Sequence, residues 1–304
     1  MRMGIMVGEG SGAAPEIAGL IQRGQAAERA GLHSAWIANI ALDAMTAATT
    51  LGLATEQIEI GTAVVPTFTR HPTAMAQQTA STQQACDGRF ALGIGLAHRF
   101  MVENAWGLSY DKPARHMREY LQILQPLLQG ESVQLDGEQY QVNLQPPPAN
   151  GHNTSVLVAA LGPVMLKLTG ALADGTITWA TGLNTLTDHI VPRISAGALA
   201  AGRPQPRVVA GFPVVITNQP DAAREIAAKT FAMYAQIPSY RAMLDREGAD
   251  GLQDLAIVGD ENTVRSQLQR LEGAGVTDLC AFPFEVDSGD AERTVEFLGA
   301  LNQA

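Results

Sequence analysis

The stretch Ile58-Glu59-Ile60-Gly61-Thr62-Ala63-Val64-Val65-Pro66-Thr67-Phe68-Thr69-Arg70-His71-Pro72 decides the reading of the fold. Its first half is a strand: Ile58, Ile60, Val64 and Val65 are apolar and β-branched, side chains that fit a pleated, buried surface. Residues 67–72 form a polar loop with a proline at each end, ahead of a helix predicted over 73–86. A buried strand that opens into a polar loop is how an α/β protein sets chemistry on a rigid frame, although a plain core strand and connector has the same pattern.

The same rhythm extends in both directions. Strands are predicted at 4–8, 34–38, 89–95, 156–160, 175–179, 207–216 and 277–282, and helices follow nearly every one. Pro15 suits a first helical position, and Ala30-Gly31-Leu32 and Ala274-Gly275-Val276 each end a helix at glycine and enter a strand. Eight strands with intervening helices predict an α/β fold, a (β/α)8 TIM barrel formed by one domain over residues 1–304. Between about 98 and 153 the rhythm loosens into a loop at 98–110, a helix at 112–128, a small hairpin around Asp136-Gly137 and the connector Pro146-Pro147-Pro148. This segment reads as an insertion after strand 4. The competing fold is a doubly wound sheet. Its dinucleotide fingerprint is missing, because Gly8-Glu9-Gly10-Ser11-Gly12-Ala13 has the wrong spacing and His98 takes the third glycine position after Gly93-Ile94-Gly95.

With 304 residues, 46% hydrophobic and 16% charged, the chain can bury a sizeable core. A net charge of -10 without a basic run makes nucleic acid and anionic membranes poor partners. The two cysteines, Cys86 and Cys280, belong to no CxxC or His/Cys cluster, so they read as buried thiols and no metal site is expected. The first residues enter a strand without a signal-peptide pattern, and no apolar run reaches the length of a membrane span. The expected setting is the cytoplasm.

In a barrel, ligands bind where strands end and loops begin, at the C-terminal face. The residues predicted there include Glu9, Asn39, 63–70, His98, 161–164 and Trp179. They offer no Ser-His-Asp order, no paired carboxylates and no lysine placed for a Schiff base, a set that favours a cofactor to carry the reaction. Leu161-Gly162-Pro163-Val164 combines a glycine that permits close approach with a proline that starts a helix, leaving N–H groups for a phosphate or forming an ordinary strand–helix turn. His98 and Glu9 are candidate proton carriers or solvated loop residues, and Trp179 either stacks on a planar ligand or packs in the rim. His71 fixes its loop rather than reacting, and Arg115 and Arg118 are a polar helix face or reach an anionic tail.

Several segments together carry a family resemblance. They are Ile60-Gly61-Thr62-Ala63-Val64 with Arg70-His71-Pro72, Gly88-Arg89-Phe90 with Leu92-Gly93-Ile94-Gly95, and Pro113-Ala114-Arg115-His116-Met117-Arg118-Glu119-Tyr120. Val158-Ala159-Ala160-Leu161-Gly162-Pro163 and Ala173-Asp174-Gly175 complete the set. In their order and spacing the chain resembles the luciferase-like monooxygenase family, and most closely its branch that uses the deazaflavin coenzyme F420. The resemblance implies a non-proline cis peptide at Ala63-Val64 against the coenzyme ring. It implies phosphate contacts from Leu161, Gly162, Pro163 and Val164, with Ala160 beside them, and ring or proton contacts from Asn39 and His98. Trp179 and Arg70 are the candidate substrate contacts, and a homodimer is the assembly that the resemblance implies. Two departures stand out: Ala38-Asn39-Ile40 lacks the histidine some members have after strand two, and Gly93-Ile94-Gly95-Leu96-Ala97-His98 ends in histidine where the sugar-phosphate dehydrogenases have glutamate. The expected function is F420-dependent hydride transfer to or from a small organic substrate other than a sugar phosphate. An FMN-dependent monooxygenase and a non-catalytic flavin or F420 carrier are the alternatives.

Overall fold

The structure is a computed structural model that describes residues 1–8, 16–145 and 151–303. Eight parallel strands close on themselves: β1 (Arg2–Met6), β2 (Ser34–Ile37), β3 (Glu59–Thr62), β4 (Phe90–Gly95), β5 (Ser155–Val158), β6 (Gly175–Trp179), β7 (Arg207–Ile216) and β8 (Asp278–Pro283). The circle shuts where β8 pairs with both β7 and β1. This is the predicted (β/α)8 barrel. Both faces of each strand are covered, which is why β4 and β7 read as continuous apolar runs rather than alternating ones.

Trp36, Ala91, Leu157, Ile177, Val209 and Cys280, each from a different strand, fill the barrel interior as a packed layer. Gly61 leaves room for it: a Cβ there would sit 2.2 Å from the Trp36 ring. A larger core lies between the barrel and its helices, built from residues such as Leu20, Leu51, Met75, Leu124 and Leu166. Cys86 and Cys280 are buried free thiols, and burial pushes the Cys86 thiol up to about 11, which keeps it protonated and inert.

The helices start where the chain supplies caps. In α2 (Ala44–Leu53) the Asp43 carboxylate accepts from the Thr46 amide at 2.9 Å, and in α3 (Pro72–Ala85) the His71 Nδ1 accepts from the Thr73 amide at 3.3 Å beneath a first-position proline. α1 (Ile17–Arg29) ends at Gly31, whose φ of 84° favours glycine.

Four differences from the sequence reading have local causes. α4 (Pro113–Leu128) packs against α3 and against α5 (Pro163–Leu172), so it is the fourth helix of the ring. Among the described residues of this segment, the stretch before it and the antiparallel hairpin Val133–Asp136/Gln141–Leu144 after it exceed the strand–helix repeat, and the predicted connector at 146–148 lies outside the described residues. The loop predicted at 98–110 contains a π-helical turn, Met101–Ala105. The short strand Ile257–Gly259 pairs with the end of β7, too brief a run to stand out in sequence. The helix expected after β7 stops at Thr230 and continues as a 3₁₀ turn, Ala232–Gln236.

At the N-terminal end of the barrel, the Arg207 guanidinium binds Glu59 at 3.0 Å and Asp278 at 2.6 Å, with the Trp36 ring 5.5 Å away. His33, Glu59 and Asp278 bring potential metal-ligand atoms within 4.8 Å of one another, but Arg207 bridges the two carboxylates and Arg2 also pairs with Asp278, at 2.8 Å. Among the described residues, no helix is long and apolar enough to cross a membrane.

Candidate active site

The floor of the site is a bulge in β3. Gly61 pairs with Ala91, yet Val65 pairs with Ile94, so residues 62–64 stand opposite residues 92 and 93. The Thr62 hydroxyl takes over the interrupted ladder, donating to the Gly93 carbonyl and accepting from its amide, both at 2.8 Å. Position 93 has to be glycine, because a Cβ would lie 1.9 Å from the Thr62 carbonyl oxygen. The Ala63–Val64 peptide in this bulge is cis, at the bond the family resemblance indicated. Ala63 and Val64 rest on the layer that fills the barrel. A Cβ at Gly95 would meet a Val64 methyl at 2.7 Å, so the two residues make one smooth surface.

Above this floor opens a cavity of about 660 Å³ at the C-terminal face, within the range of small-molecule sites. Val64, Gly95 to His98, Ala159 to Gly162 and Trp179 come to it from the ends of four strands, and Phe100, Tyr110, Met165, Ile237 and Tyr240 from the surrounding turns and helices. The walls are mainly aliphatic and aromatic. The His98 ring lies parallel to Phe100 at 5.8 Å and meets Tyr240 edge-on at 5.6 Å. Burial lowers the His98 pKa below its ordinary value, so the imidazole is neutral near pH 7. Burial and the neighbouring Tyr234 hydroxyl raise that of Tyr240, which stays a phenol. Trp179 sits edge-on to Phe231, Tyr234 and Phe282. The charges at the rim are mutually satisfied: Arg99 binds Glu103 at 2.6 Å and covers the Tyr110 ring at 5.1 Å.

One wall of the cavity is the turn from β5 into α5. Gly162 is the N-cap, and the first intrahelical bond runs from the Leu166 amide to the Gly162 carbonyl. The Val164 and Met165 amides therefore lack intrahelical acceptors, and the helix dipole favours an anion in front of them. Gly162 has φ -77° and ψ 153°, a conformation open to any residue, and a Cβ would meet nothing within 4 Å. Neither the backbone nor the packing requires glycine here, and its bare face leaves a cradle open to the cavity.

The predicted site residues separate into two groups. Val64, His98, Ala160, Leu161, Gly162 and Trp179 line the one cavity, with Ala63, Pro163 and Val164 directly adjoining it in the chain. Asn39 and Arg70 stand outside its wall. The Asn39 side chain accepts from the Ala44 amide at 3.1 Å, and Arg70 binds Asp43 and Gln78, so both secure the loops around α2 and α3. Glu9 lies outside the described residues. Arg115 pairs with Glu138, and Arg115 and Arg118 border a separate surface hollow. Sequence reasoning missed Phe100, Tyr110, Met165, Ile237 and Tyr240. Met165 follows from helix geometry once Gly162 is taken as the N-cap. Tyr240 lies on the helix Pro238–Glu247, and nothing local in the sequence says that this helix leans over the barrel mouth.

A closed (β/α)8 barrel with a bulged third strand and a helix start at one apolar cavity defines a barrel protein with a small-molecule site at its C-terminal face. The sequence matches the luciferase-like monooxygenase family over residues 1–278, and the chain belongs to that family. It is 27% identical over 263 residues to the 5,10-methylenetetrahydromethanopterin reductase of Methanolobus tindarius, covering 86% of this chain and 79% of that one. Among solved structures, it resembles an F420-dependent secondary alcohol dehydrogenase in complex with an F420-acetone adduct, with TM-score 0.82, 16% identity and 98% and 97% of the two chains covered. The oxygenating constituent of 3,6-diketocamphane monooxygenase from Pseudomonas putida, in complex with FMN, has TM-score 0.78 and 17% identity, with 98% and 96% covered. These two likenesses establish the fold.

Proposed function

We propose that this protein is an F420-dependent oxidoreductase that moves a hydride between the deazaflavin and a small organic substrate. The observation that carries the reading is that a single cavity joins the Val64 bulge, the neutral His98 and the open Gly162 turn. The residues fit such a coenzyme. Gly162 leaves space for a phosphate, the Val164 and Met165 amides supply donors, and Val64 with Gly95 offers a flat apolar surface to a ring. The methylenetetrahydromethanopterin reductase relative and the F420-named structural neighbour support the choice of coenzyme.

When bound, F420 supplies the ring carbon that accepts or donates the hydride. The protein does the rest. The Leu161–Val164 turn holds the phosphate, and the aromatic wall of Trp179 and Tyr240 excludes water from the reacting atoms. His98 takes the proton of a substrate hydroxyl in the oxidative direction and returns it in the reverse one. One domain, a homodimeric assembly and a cytoplasmic setting belong to the same reading.

The runner-up is an FMN-dependent monooxygenase working in the same cavity, favoured by the likeness to an FMN-bound enzyme. Titrating purified protein with oxidised F420 and, separately, with FMN, followed by fluorescence, decides between them. Tight F420 and weak FMN binding is the expected result. The reverse preference moves the assignment to the monooxygenase, and binding of neither overturns both.

A further inference from the structure

The Leu161 carbonyl, at the start of the Gly162 turn, accepts a hydrogen bond of 2.7 Å from Nε2 of His189. His189 lies in the π-helical turn Leu186–Ile190 and is 2% exposed. A carbonyl can only accept, so Nε2 carries the hydrogen, and Nδ1 is the bare nitrogen of a neutral ring. Among the described residues Nδ1 is buried without a partner, so nothing is placed to receive a second N–H. Burial, with Arg193 and Arg246 nearby, lowers the pKa and holds the ring neutral. The surroundings thus select one tautomer and give it one bond to make.

Peptide planarity carries that bond into the site. The Leu161–Gly162 peptide is trans, and in a trans peptide the N–H points opposite to the preceding carbonyl. Anchoring the Leu161 carbonyl to buried His189 therefore turns the Gly162 N–H away from the interior, toward the open side of the turn where Val164 and Met165 present theirs. Rotation of this peptide would instead bring a carbonyl oxygen toward the anion.

Resting on the cofactor reading above, we propose that His189 is a positioning residue of the phosphate turn: its Nε2–H locks the Leu161–Gly162 peptide so that the Gly162 amide faces the anion. His189 touches neither coenzyme nor substrate, so it governs affinity and leaves the chemical step alone.

The test compares the wild-type protein with His189→Gln, whose side-chain amide reproduces the Nε2–H donor, and His189→Leu, which keeps apolar bulk without a donor. Two quantities are read: the F420 dissociation constant by fluorescence, and amide hydrogen exchange over residues 161–166 in cofactor-free protein. The Leu variant should bind F420 about tenfold to a hundredfold more weakly, the worth of one hydrogen bond to a charged group. Its 161–166 segment should exchange faster, and the Gln variant should match wild type in both. A merely structural histidine would shift the melting temperature and leave affinity untouched. Wild-type affinity in the Leu variant overturns the proposal, and so does a Gln variant as weak as Leu. If wild-type protein binds no F420, the coenzyme assignment fails on its own and exchange alone judges the clamp: equal exchange in wild type and the Leu variant overturns it.

Discussion

Replacing Gly162 by aspartate should make the protein more stable and a worse binder at once. The backbone at Gly162, φ -77° and ψ 153°, already has N-cap geometry, and a Cβ there meets nothing within 4 Å. The chain shows what the new carboxylate would do: Asp43 and Asp260 each accept from the amide three residues on, at 2.9 and 2.8 Å. In the Gly162→Asp variant the introduced carboxylate would cap the Met165 amide in the same way. Relative to glycine this gains a few tenths of a kcal/mol from the cap and about 0.3–1 kcal/mol from the helix dipole. That corresponds to a melting temperature higher by roughly 1–3 °C. Binding moves the opposite way. Losing one amide bond to a phosphate costs about 1.5–3 kcal/mol, and a second negative charge at about 4 Å costs up to ~4 kcal/mol before salt screening. The lost hydrogen bond alone raises the F420 dissociation constant at least about tenfold, and with about 1 kcal/mol of repulsion, the bulk-water value, the rise is about seventyfold. Gly162→Ala fills the cradle without the charge and should weaken binding less. Calorimetry and a fluorescence titration on one preparation read both effects. An aspartate variant that binds F420 like wild type, or one that melts earlier, refutes the assignment of this turn.

Three further outcomes follow from other parts of the molecule. His98→Gln should lower kcat by about 10²–10⁴, the usual worth of a general acid–base, with a much smaller change in F420 affinity; equal turnover removes His98 from the proton path. His116 is buried, bonded to Thr67 at 3.0 Å and stacked on Phe68 at 3.9 Å, and burial pushes its pKa down to about 4. Unfolding restores an ordinary histidine, so the unfolded chain binds the extra proton between about pH 6.5 and 4; the stability present above this window falls on acidification through it by on the order of 3 kcal/mol. His116→Gln should flatten that part of a urea-melt pH profile, and an unchanged profile contradicts the assignment. Arg207→Met removes the salt-bridge partner of Glu59 and leaves the fully buried Asp278 with Arg2 and the Thr277 hydroxyl, so it should cost about 3 kcal/mol by denaturant unfolding, with Asp278→Asn recovering part of it; a cost below about 1 kcal/mol would show the network to be dispensable.

The barrel was legible because its evidence is local and repeated: β-branched runs, prolines at helix starts and glycines at helix ends recur along the whole chain. The exceptions are equally local. Ile257–Gly259 is too short to register as a strand, and α4 hid inside what read as an insertion because the segments on either side of it break the rhythm. The candidate site was legible only where one strand end and its turn carry the signal, as at Ala63-Val64, His98 and Leu161-Gly162-Pro163. Residues brought in by tertiary packing left no trace. Tyr240 meets His98 from a helix far along the chain, and His189 reaches Leu161 across 28 positions of sequence. Asn39 and Arg70 show the converse. Both sit at loops near the barrel mouth, but their polar groups are taken by Ala44, Gln78 and Asp43.

The most direct test of the central claim is a crystal structure of the protein grown with F420. The coenzyme ring is expected against Val64 and Gly95, with its phosphate within hydrogen-bond distance of the Gly162, Val164 and Met165 amides. A coenzyme bound elsewhere, or a phosphate that does not touch this turn, would contradict it.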